Sequence, residues 1–372
     1  MAQGYSDFLG VGIIGTGFGL MHLLGYRECE NVRVVAVCQR TPGKVEAFAK
    51  QHGVPHVFSD YREMIAHAAV QVVSIAAPPY VHREMTLAAL AAGKPVLCEK
   101  PFAMNAKEAQ EMYERAQAAG LTHATAFNWR FLPGIARSKE LIDEGFVGRL
   151  YHANVAWYAE RQADPTIPLL WRHRKEFAGF GVLGDIGPHV IDMLCWMLGD
   201  FRKVAAHCIT AVRERKVVAS GEVVTADADD ACAFVAEMAS GAQVSVHLSR
   251  VAYASNCHRF EFYGSNGMLL YDADPKEGTW ISGRLRGAKA GEKKLTELPI
   301  PERLREGLDT SDLGAAVGNF LFAQLVRRFV AGIRTRQPIT PSFLEGLRSQ
   351  QVIDALVQSA AEERWVNVRV EG

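Results

Sequence analysis

The stretch Val11-Gly12-Ile13-Ile14-Gly15-Thr16-Gly17-Phe18-Gly19-Leu20, followed by Val32-Arg33-Val34-Val35-Ala36-Val37-Cys38, decides the fold. An apolar run ends at Gly15, a helical stretch opens behind it, and a second β-branched run follows. In such a strand–turn–helix the first glycine permits the tight turn. The second, Gly17, lets a pyrophosphate approach the backbone at the positive end of the helix. The third fingerprint position is Leu20, with a glycine one residue earlier at Gly19, so Gly15 to Gly19, with Phe18 in the turn, form a variant of GxGxxG. A lone variant is weak, and the strand–helix–strand context carries the reading.

Outward from this turn the same rhythm continues. Val70–Ala76, Lys94–Cys98 and Leu121–Phe127 read as further strands, and 42–52 and His82–Ala92 as helices, the latter stopped by Gly93. Near-continuous apolar strands alternating with helices predict a parallel sheet buried on both faces. Beyond residue 127, Phe131–Glu144 reads as a helix, and Leu150–Tyr158, Cys232–Met238, Gln243–Leu248, Arg259–Tyr263 and Met268–Tyr271 as strands with Ser265-Asn266-Gly267 as a hairpin turn. Residues 283–309 read as solvated loop, and 312–334 and 342–362 as helices. The expected fold class is α/β: an N-terminal Rossmann domain with a doubly wound parallel sheet over 1–127, and a C-terminal α+β domain with a largely antiparallel open sheet over 128–372.

Composition narrows the function. With 41 Lys+Arg against 41 Asp+Glu, no net field favours nucleic acid or an anionic membrane. Seven widely spaced cysteines without a CxxC pair fit a reduced, cytoplasmic protein. The opening segment Met1–Leu9 lacks the basic and apolar stretches of a signal peptide, and no transmembrane helix is read. No His, Asp and Glu cluster of ligand spacing stands out, so no metal is expected.

The end of the second strand bears on cofactor choice. A carboxylate there holds the adenine ribose and repels a 2′-phosphate. Here stand Cys38-Gln39-Arg40-Thr41, with Lys44 nearby and no acid. Gln39, Arg40 and Lys44 are therefore read as cofactor-binding, with NADP favoured over NAD and Arg40 placed to stack on adenine and pair with phosphate.

Two motifs supply chemistry. Glu99-Lys100-Pro101 follows a buried strand at its carboxyl end, where open α/β sheets place ligands. Gly184-Asp185-Ile186-Gly187-Pro188-His189-Val190-Ile191-Asp192 opens a helical pattern in which Asp185 and His189, four residues apart, share a face. Asp185 also reads as a helix cap, and Asp192 as a support for His189. A lysine, a histidine and a carboxylate beside a nucleotide site make a proton-transfer set for an alcohol/carbonyl reaction.

With these motifs in this order, the chain resembles the Gfo/Idh/MocA oxidoreductases. The resemblance also rests on Ala77-Pro78-Pro79-Tyr80-Val81-His82, Asn128-Trp129-Arg130-Phe131, Trp171-Arg172 and the Gly179–Asp192 stretch, with Phe180 inside its glycine run as a departure. It implies an NAD(P)-dependent dehydrogenase or reductase moving a hydride between nicotinamide and a CH–OH group of a sugar, inositol or related compound. Lys100, Asp185 and His189 are then catalytic, with the proton acceptor left open between Lys100 and His189. Pro78, Pro79 and His82 would lie on the nicotinamide side, with Glu99, Lys100 and Asn128 also at the cofactor. Lys100, Arg130, Trp171, Arg172, Asp185 and His189 would face substrate. The resemblance further implies a homodimer or homotetramer built through the C-terminal sheet. The alternative is a glycoside hydrolase that keeps NAD(P) bound for transient oxidation and elimination, with Tyr151, Tyr158 and His173 as further acid/base groups.

Overall fold

The computed structural model describes residues 8–41 and 43–369. The readings on the first seven residues and on Pro42 lie outside the described residues. The chain forms two compact units. The first comprises residues 1–128 and 308–347, the second 129–307 and 348–372. A single cut at 127 therefore does not follow the packing, because the segment after 307 returns to the first unit.

In the first unit β1 (Leu9–Ile14), α1 (Gly19–Arg27), β2 (Val32–Cys38), α2 (Lys44–His52), β3 (His56–Phe58), α3 (Tyr61–Ala66), β4 (Val72–Ile75), α4 (His82–Ala91), β5 (Val96–Cys98), α5 (Ala106–Ala119) and β6 (His123–Thr125) alternate. The strands lie in the order β3-β2-β1-β4-β5-β6, all parallel. The order reverses between β1 and β4, which is where such sheets open a ligand crevice at their carboxyl ends. Val72 to Ile75 and Val96 to Cys98 are buried throughout, as strands covered on both faces must be. Sequence chemistry sets the helix ends. Asp60 and Asn105 accept the Arg62 and Glu108 amides at the starts of α3 and α5, and Gly120 closes α5 in the left-handed region at φ 61°.

The second unit contains α6 (Pro133–Asp143), β7 (Leu150–Tyr158), α7 (Lys175–Ala178), α8 (Val182–Asp185), α9 (Gly187–Leu198), β8 (Phe201–Ile209), β9 (Glu214–Lys216), β10 (Val223–Thr225), β11 (Ala231–Met238), β12 (Gln243–Ser249), β13 (His258–Gly264), β14 (Gly267–Ala273), β15 (Arg284–Lys289) and β16 (Thr296–Glu297). Nine strands form the sheet β16-β15-β14-β13-β7-β12-β11-β8-β17, where β17 is Val366–Asn367. Only the β7–β12 pairing is parallel. Alternation sets its faces: Cys232, Phe234, Ala236 and Met238 of β11 are buried, while Ala233 is exposed. The expected loop over 283–309 is corrected, since Arg284 to Lys289 pair with β14. Arg284 and Arg286 earn their place there by bonding Asp272 of the neighbouring strand. Their charges had argued for solvent, and a cross-strand carboxylate satisfies them.

The returning segment builds α10 (Leu313–Ala316), a π-helical turn at Val317–Phe322 and α11 (Ala323–Thr335), and α12 (Phe343–Glu362) carries the unit boundary within it. Residues Leu313–Thr335 are apolar and long enough to cross a membrane by length and composition, but here Phe320 to Ala323, Leu325, Val326 and Phe329 pack inside, the π-turn and α11 lying on α1. The approach is close: a Cβ on Gly25 would stand 3.0 Å from the Phe322 carbonyl carbon. Gly25→Ala gains about 1 kcal/mol of helix propensity but forces backbone apart, an overpacking cost of about 1–3 kcal/mol. Thermal or urea melts are expected to show net destabilisation; a more stable variant would refute the close contact.

Candidate active site

In the first unit the glycine turn is built by what surrounds it. Gly15 holds φ 96°, and a Cβ there would lie 2.4 Å from the Ala76 carbonyl oxygen, so only glycine fits. Its amide donates to the Cys38 carbonyl at 2.8 Å. The Thr16 amide donates to Gln39 Oε1 at 3.3 Å, and its hydroxyl bonds the same oxygen. Gln39 thus braces the turn. Gly17 opens onto space with nothing within 4 Å of its Cβ position, and no side chain caps α1. Phe18 is exposed, its ring edge-on to Phe322 at 5.8 Å. Arg40 at the end of β2 donates to the Tyr80 hydroxyl at 2.8 Å, and Lys44 is exposed at the start of α2.

The loops after β4 and β5 meet at His82. Its Nε2 lies 2.8 Å from the Ala77 carbonyl and its Nδ1 3.0 Å from that of Pro101. Burial lowers its pKa, opposed by the carbonyl contacts and by Glu99. His82, read on the nicotinamide side, is fully buried and staples the loop of Pro78 and Pro79 to the turn of Lys100. Glu99 is likewise buried: Oε1 meets His22 Nε2 at 3.0 Å and Oε2 accepts the Lys100 amide at 3.0 Å. Lys100 itself is half-buried and precedes a cis peptide bond to Pro101. Asn128, beyond β6, is 2% exposed, and its Nδ2 has no hydrogen-bond partner among the described residues. An open glycine, an uncapped helix N-terminus and an orphaned amide donor along one sheet edge fit a dinucleotide, whose phosphates need N–H donors and whose nicotinamide amide needs polar partners.

In the second unit, Asp185 and His189 do not share one regular helix. Asp185 ends the one-turn α8 and His189 lies in the first turn of α9, with Ile186 between the two helices and Pro188, which has no N–H to donate, in that first turn. Asp185 caps neither helix. That work falls to Asp229, whose carboxylate accepts the Gly181 and Leu183 amides at 2.7 and 2.9 Å. Gly181 is obligatory beside it, since a Cβ would lie 1.8 Å from the Asp229 carbonyl oxygen. Asp185 is half-buried and pairs with Arg161 at 3.3 Å. His189 is 6% exposed; its ring centroid stands 5.9 Å from that of Trp129 and 6.4 Å from that of Trp157. Trp157 stacks in turn on buried His258 at 4.6 Å, whose pKa burial lowers to about 3.

Arg130 and Asp192 form a bidentate ion pair at 2.6 and 2.5 Å, both nearly inaccessible. Arg130 is therefore held in the interior of this unit by Asp192, where sequence had aimed it at substrate. Breaking such a pair from one side costs about 3–5 kcal/mol.

Trp171 and Arg172 sit exposed on the 160–178 segment, the guanidinium 4.6 Å above the indole ring. Sequence reading missed what holds that segment. Residues Asp227-Ala228-Asp229-Asp230 grip it: Asp227 Oδ1 accepts the Lys175 amide at 2.8 Å, and Asp230 binds Arg250, which reaches the Arg172 carbonyl. Buried Arg215 bonds the carbonyls of Gln162, Asp164 and Ile167. The available signal was a run of acids directly before an apolar strand, with buried arginines as partners. His173 is fully buried and not an acid/base group. The Leu170 amide donates to its Nδ1 at 3.0 Å, so Nε2 carries the proton and donates to Gln162 Oε1 at 2.6 Å. Tyr158 rests on His247 at 3.2 Å, and Tyr151 is half exposed. Among the described residues no three His, Cys, Asp or Glu side chains are grouped to hold a metal.

A nucleotide-binding α/β unit joined to an open-sheet α+β unit carrying acid/base side chains defines a dinucleotide-dependent oxidoreductase. The family model for the oxidoreductase family with NAD-binding Rossmann fold matches residues 9–127, and that for the GFO/IDH/MocA C-terminal domain matches 135–270. The chain belongs to the Gfo/Idh/MocA family of oxidoreductases. Levoglucosan dehydrogenase of Pseudarthrobacter phenanthrenivorans is 31% identical over 97% of this chain and 98% of that protein. D-glucoside 3-dehydrogenase of Escherichia coli is 33% identical over 57% of this chain and 60% of its own length. The solved structure of levoglucosan dehydrogenase in complex with NADH and L-sorbose superposes with a TM-score of 0.89 at 31% identity, covering 98% of this chain and all of that one.

Burial first, then the Arg215 and Arg250 guanidiniums, hold the His173 pKa down from 6.5 to about 4. A depressed histidine makes folding favourable above its unfolded value and loses that contribution as pH falls. Stability is expected to drop between about pH 6.5 and pH 4, by up to about 3 kcal/mol from this residue. Urea midpoints at pH 7.5 and 4.5 check this; His173→Gln is less stable at pH 7.5 but shows the shallower slope. An equal slope in both proteins would sink the assignment.

Proposed function

We propose that the chain oxidises a ring hydroxyl of a small carbohydrate, in the reversible sense of a dehydrogenase, and that Lys100 takes the hydroxyl proton. The observation that carries this is the turn Glu99-Lys100-Pro101 at the carboxyl end of β5, on the same edge of the parallel sheet as the open Gly17. A bound nicotinamide supplies the hydride acceptor. Gly15, Gly17, Phe18 and Gly19 admit the pyrophosphate at the start of α1, Asn128 offers its amide donor, and Glu99 and His82 hold the lysine turn from beneath. His189 and Asp185 are assigned to hydroxyl groups of the sugar, Asp185 orienting its partner by charge. Trp171 and Arg172 present an aromatic face and a fork of donors, the pair that a polyhydroxylated ring uses. The relatives that act on levoglucosan and D-glucosides support this substrate class.

Cofactor choice follows from the end of β2. No carboxylate stands there to repel a 2′-phosphate, so NADP is favoured over NAD, with Arg40 the contact for the phosphate; the NAD-binding family model and the relative's structure with NADH support use of NAD as well. We assign a homo-oligomer to the exposed face of the nine-stranded sheet, where Ala156, Ala205 and Ser245 lie among Tyr151 and Ile209; light scattering after gel filtration tests it.

The first test is reduction of NAD and NADP followed by absorbance, against levoglucosan, D-glucosides, L-sorbose and inositols. Lys100→Met is expected to lower kcat by about 10²–10⁴ while the dinucleotide Kd moves less than about tenfold. Glycoside cleavage without net reduction of cofactor would overturn the dehydrogenase reading. Arg40→Asp is expected to raise KM for NADP at least about tenfold and leave that for NAD within about threefold; equal changes for both would show that Arg40 does not meet the phosphate.

A further inference from the structure

Four polar side chains, Tyr26, Ser74, His22 and Glu99, lie in the interior of the first unit, and the proposed reaction gives a role to Glu99 alone. Tyr26, Ser74 and His22 are at most 1% exposed and Glu99 is 5% exposed. The Tyr26 hydroxyl donates to Ser74 Oγ at 3.3 Å, Ser74 Oγ meets His22 Nδ1 at 2.7 Å, and His22 Nε2 meets Glu99 Oε1 at 3.0 Å. A carboxylate only accepts, so His22 Nε2 carries the proton, and the Ser74 hydroxyl, already accepting from Tyr26, can donate to Nδ1. The hydrogen bonds then run one way, from Tyr26 to Glu99, and Glu99 passes the order on by accepting the Lys100 amide at 3.0 Å. His22 sits one turn into α1, the helix whose N-terminus faces the open Gly17, and Phe322 closes over its ring at 4.8 Å. A buried imidazole and carboxylate each lose several kcal/mol of hydration, so such a set persists where it fixes geometry.

We propose that His22 is a positioning residue for Lys100: it ties the dinucleotide-binding helix to the lysine turn through Glu99. This rests on the assignment of Lys100 as the proton acceptor. The consequence is that the backbone of the turn is held at both ends by imidazoles, His22 through the Glu99 carboxylate and His82 through the Pro101 carbonyl. Removing His22 frees the Glu99 carboxylate, and with it the amide of Lys100, without touching the glycine turn that receives the phosphates.

The experiment compares His22→Leu, His22→Gln and Lys100→Met in the full chain. The first readout needs no substrate: competitive labelling of lysines by acetic anhydride in the protein without added sugar, quantified by mass spectrometry with exposed Lys44 as internal standard. His22→Leu is expected to change the Lys100 labelling ratio at least about fivefold, and His22→Gln, which keeps an N–H donor for Glu99, to stay within about twofold. The second readout is kinetic, on the best sugar of the panel: kcat falls at least about tenfold in His22→Leu with KM and dinucleotide Kd within about threefold, and Gln restores it. Unchanged labelling and kcat in His22→Leu, with Lys100→Met inactive, overturns the positioning role alone. A fully active Lys100→Met overturns the underlying assignment instead. Loss of labelling contrast, kcat and dinucleotide binding together in both His22 variants would mark a merely structural residue and also overturn the proposal.

Discussion

A carboxylate removed from water must find donors, and much of this molecule is arranged around that requirement. Glu99, Asp192, Asp229 and Asp230 are all buried, and each meets it differently. Glu99 takes an imidazole and an amide, Asp192 a guanidinium fork, Asp229 two amides at the start of a short helix, and Asp230 an arginine and the Val212 amide. None of these donors is free to move afterwards. The backbone of the Lys100 turn and the start of α8, which ends at Asp185, are each held by such a carboxylate.

The legibility of the sequence follows the same division. Short-range signals were readable. The glycine turn at 15–19 is legible because a positive φ at Gly15 needs glycine, although the contacts that brace it, the Cys38 and Ala76 carbonyls and Gln39, come from distant positions. Strands buried on both faces announce themselves as apolar runs: β2 stands where Val32–Cys38 places it, β1 lies one residue N-terminal of Gly10–Gly15, and β4 is shorter than Val70–Ala76 at both ends. Motif chemistry placed Lys100 at a strand end and Asp185 with His189 at a helix mouth. What spacing could not show is the irregular link at Ile186 between α8 and α9, since a period of four says nothing about an interrupted helix.

Long-range partners were hidden for a physical reason. Arg130 looks like a substrate ligand because arginine is a good one, and only the fold brings Asp192, 62 residues away in sequence, against it. His173 looks like an acid/base group for neutral pH until burial and the Arg215 and Arg250 guanidiniums hold its pKa down to about 4. Asp227 and Asp229 went unread because their partners, the amides of Lys175, Gly181 and Leu183, are roughly fifty residues away, as are the carbonyl partners of Arg215. Strand β15 was lost to its own charges, which Asp272 neutralises across the sheet. In each case the identity of the residue was informative and the pairing was not local.

The return of residues 308–347 to the first unit also bears on how the protein is made. A chain leaving the ribosome presents β1 to β6 first, but the α1 surface at Gly25 is covered by Phe322, nearly three hundred residues later. Until that segment emerges, the nucleotide-binding unit keeps an apolar helix face without its lid, and strands β7 to β16 of the second sheet are synthesised in the interval. Completion of the first unit thus waits, by chain order alone, on synthesis of residues 129–307 of the second, and a premature stop within that stretch leaves the first unfinished.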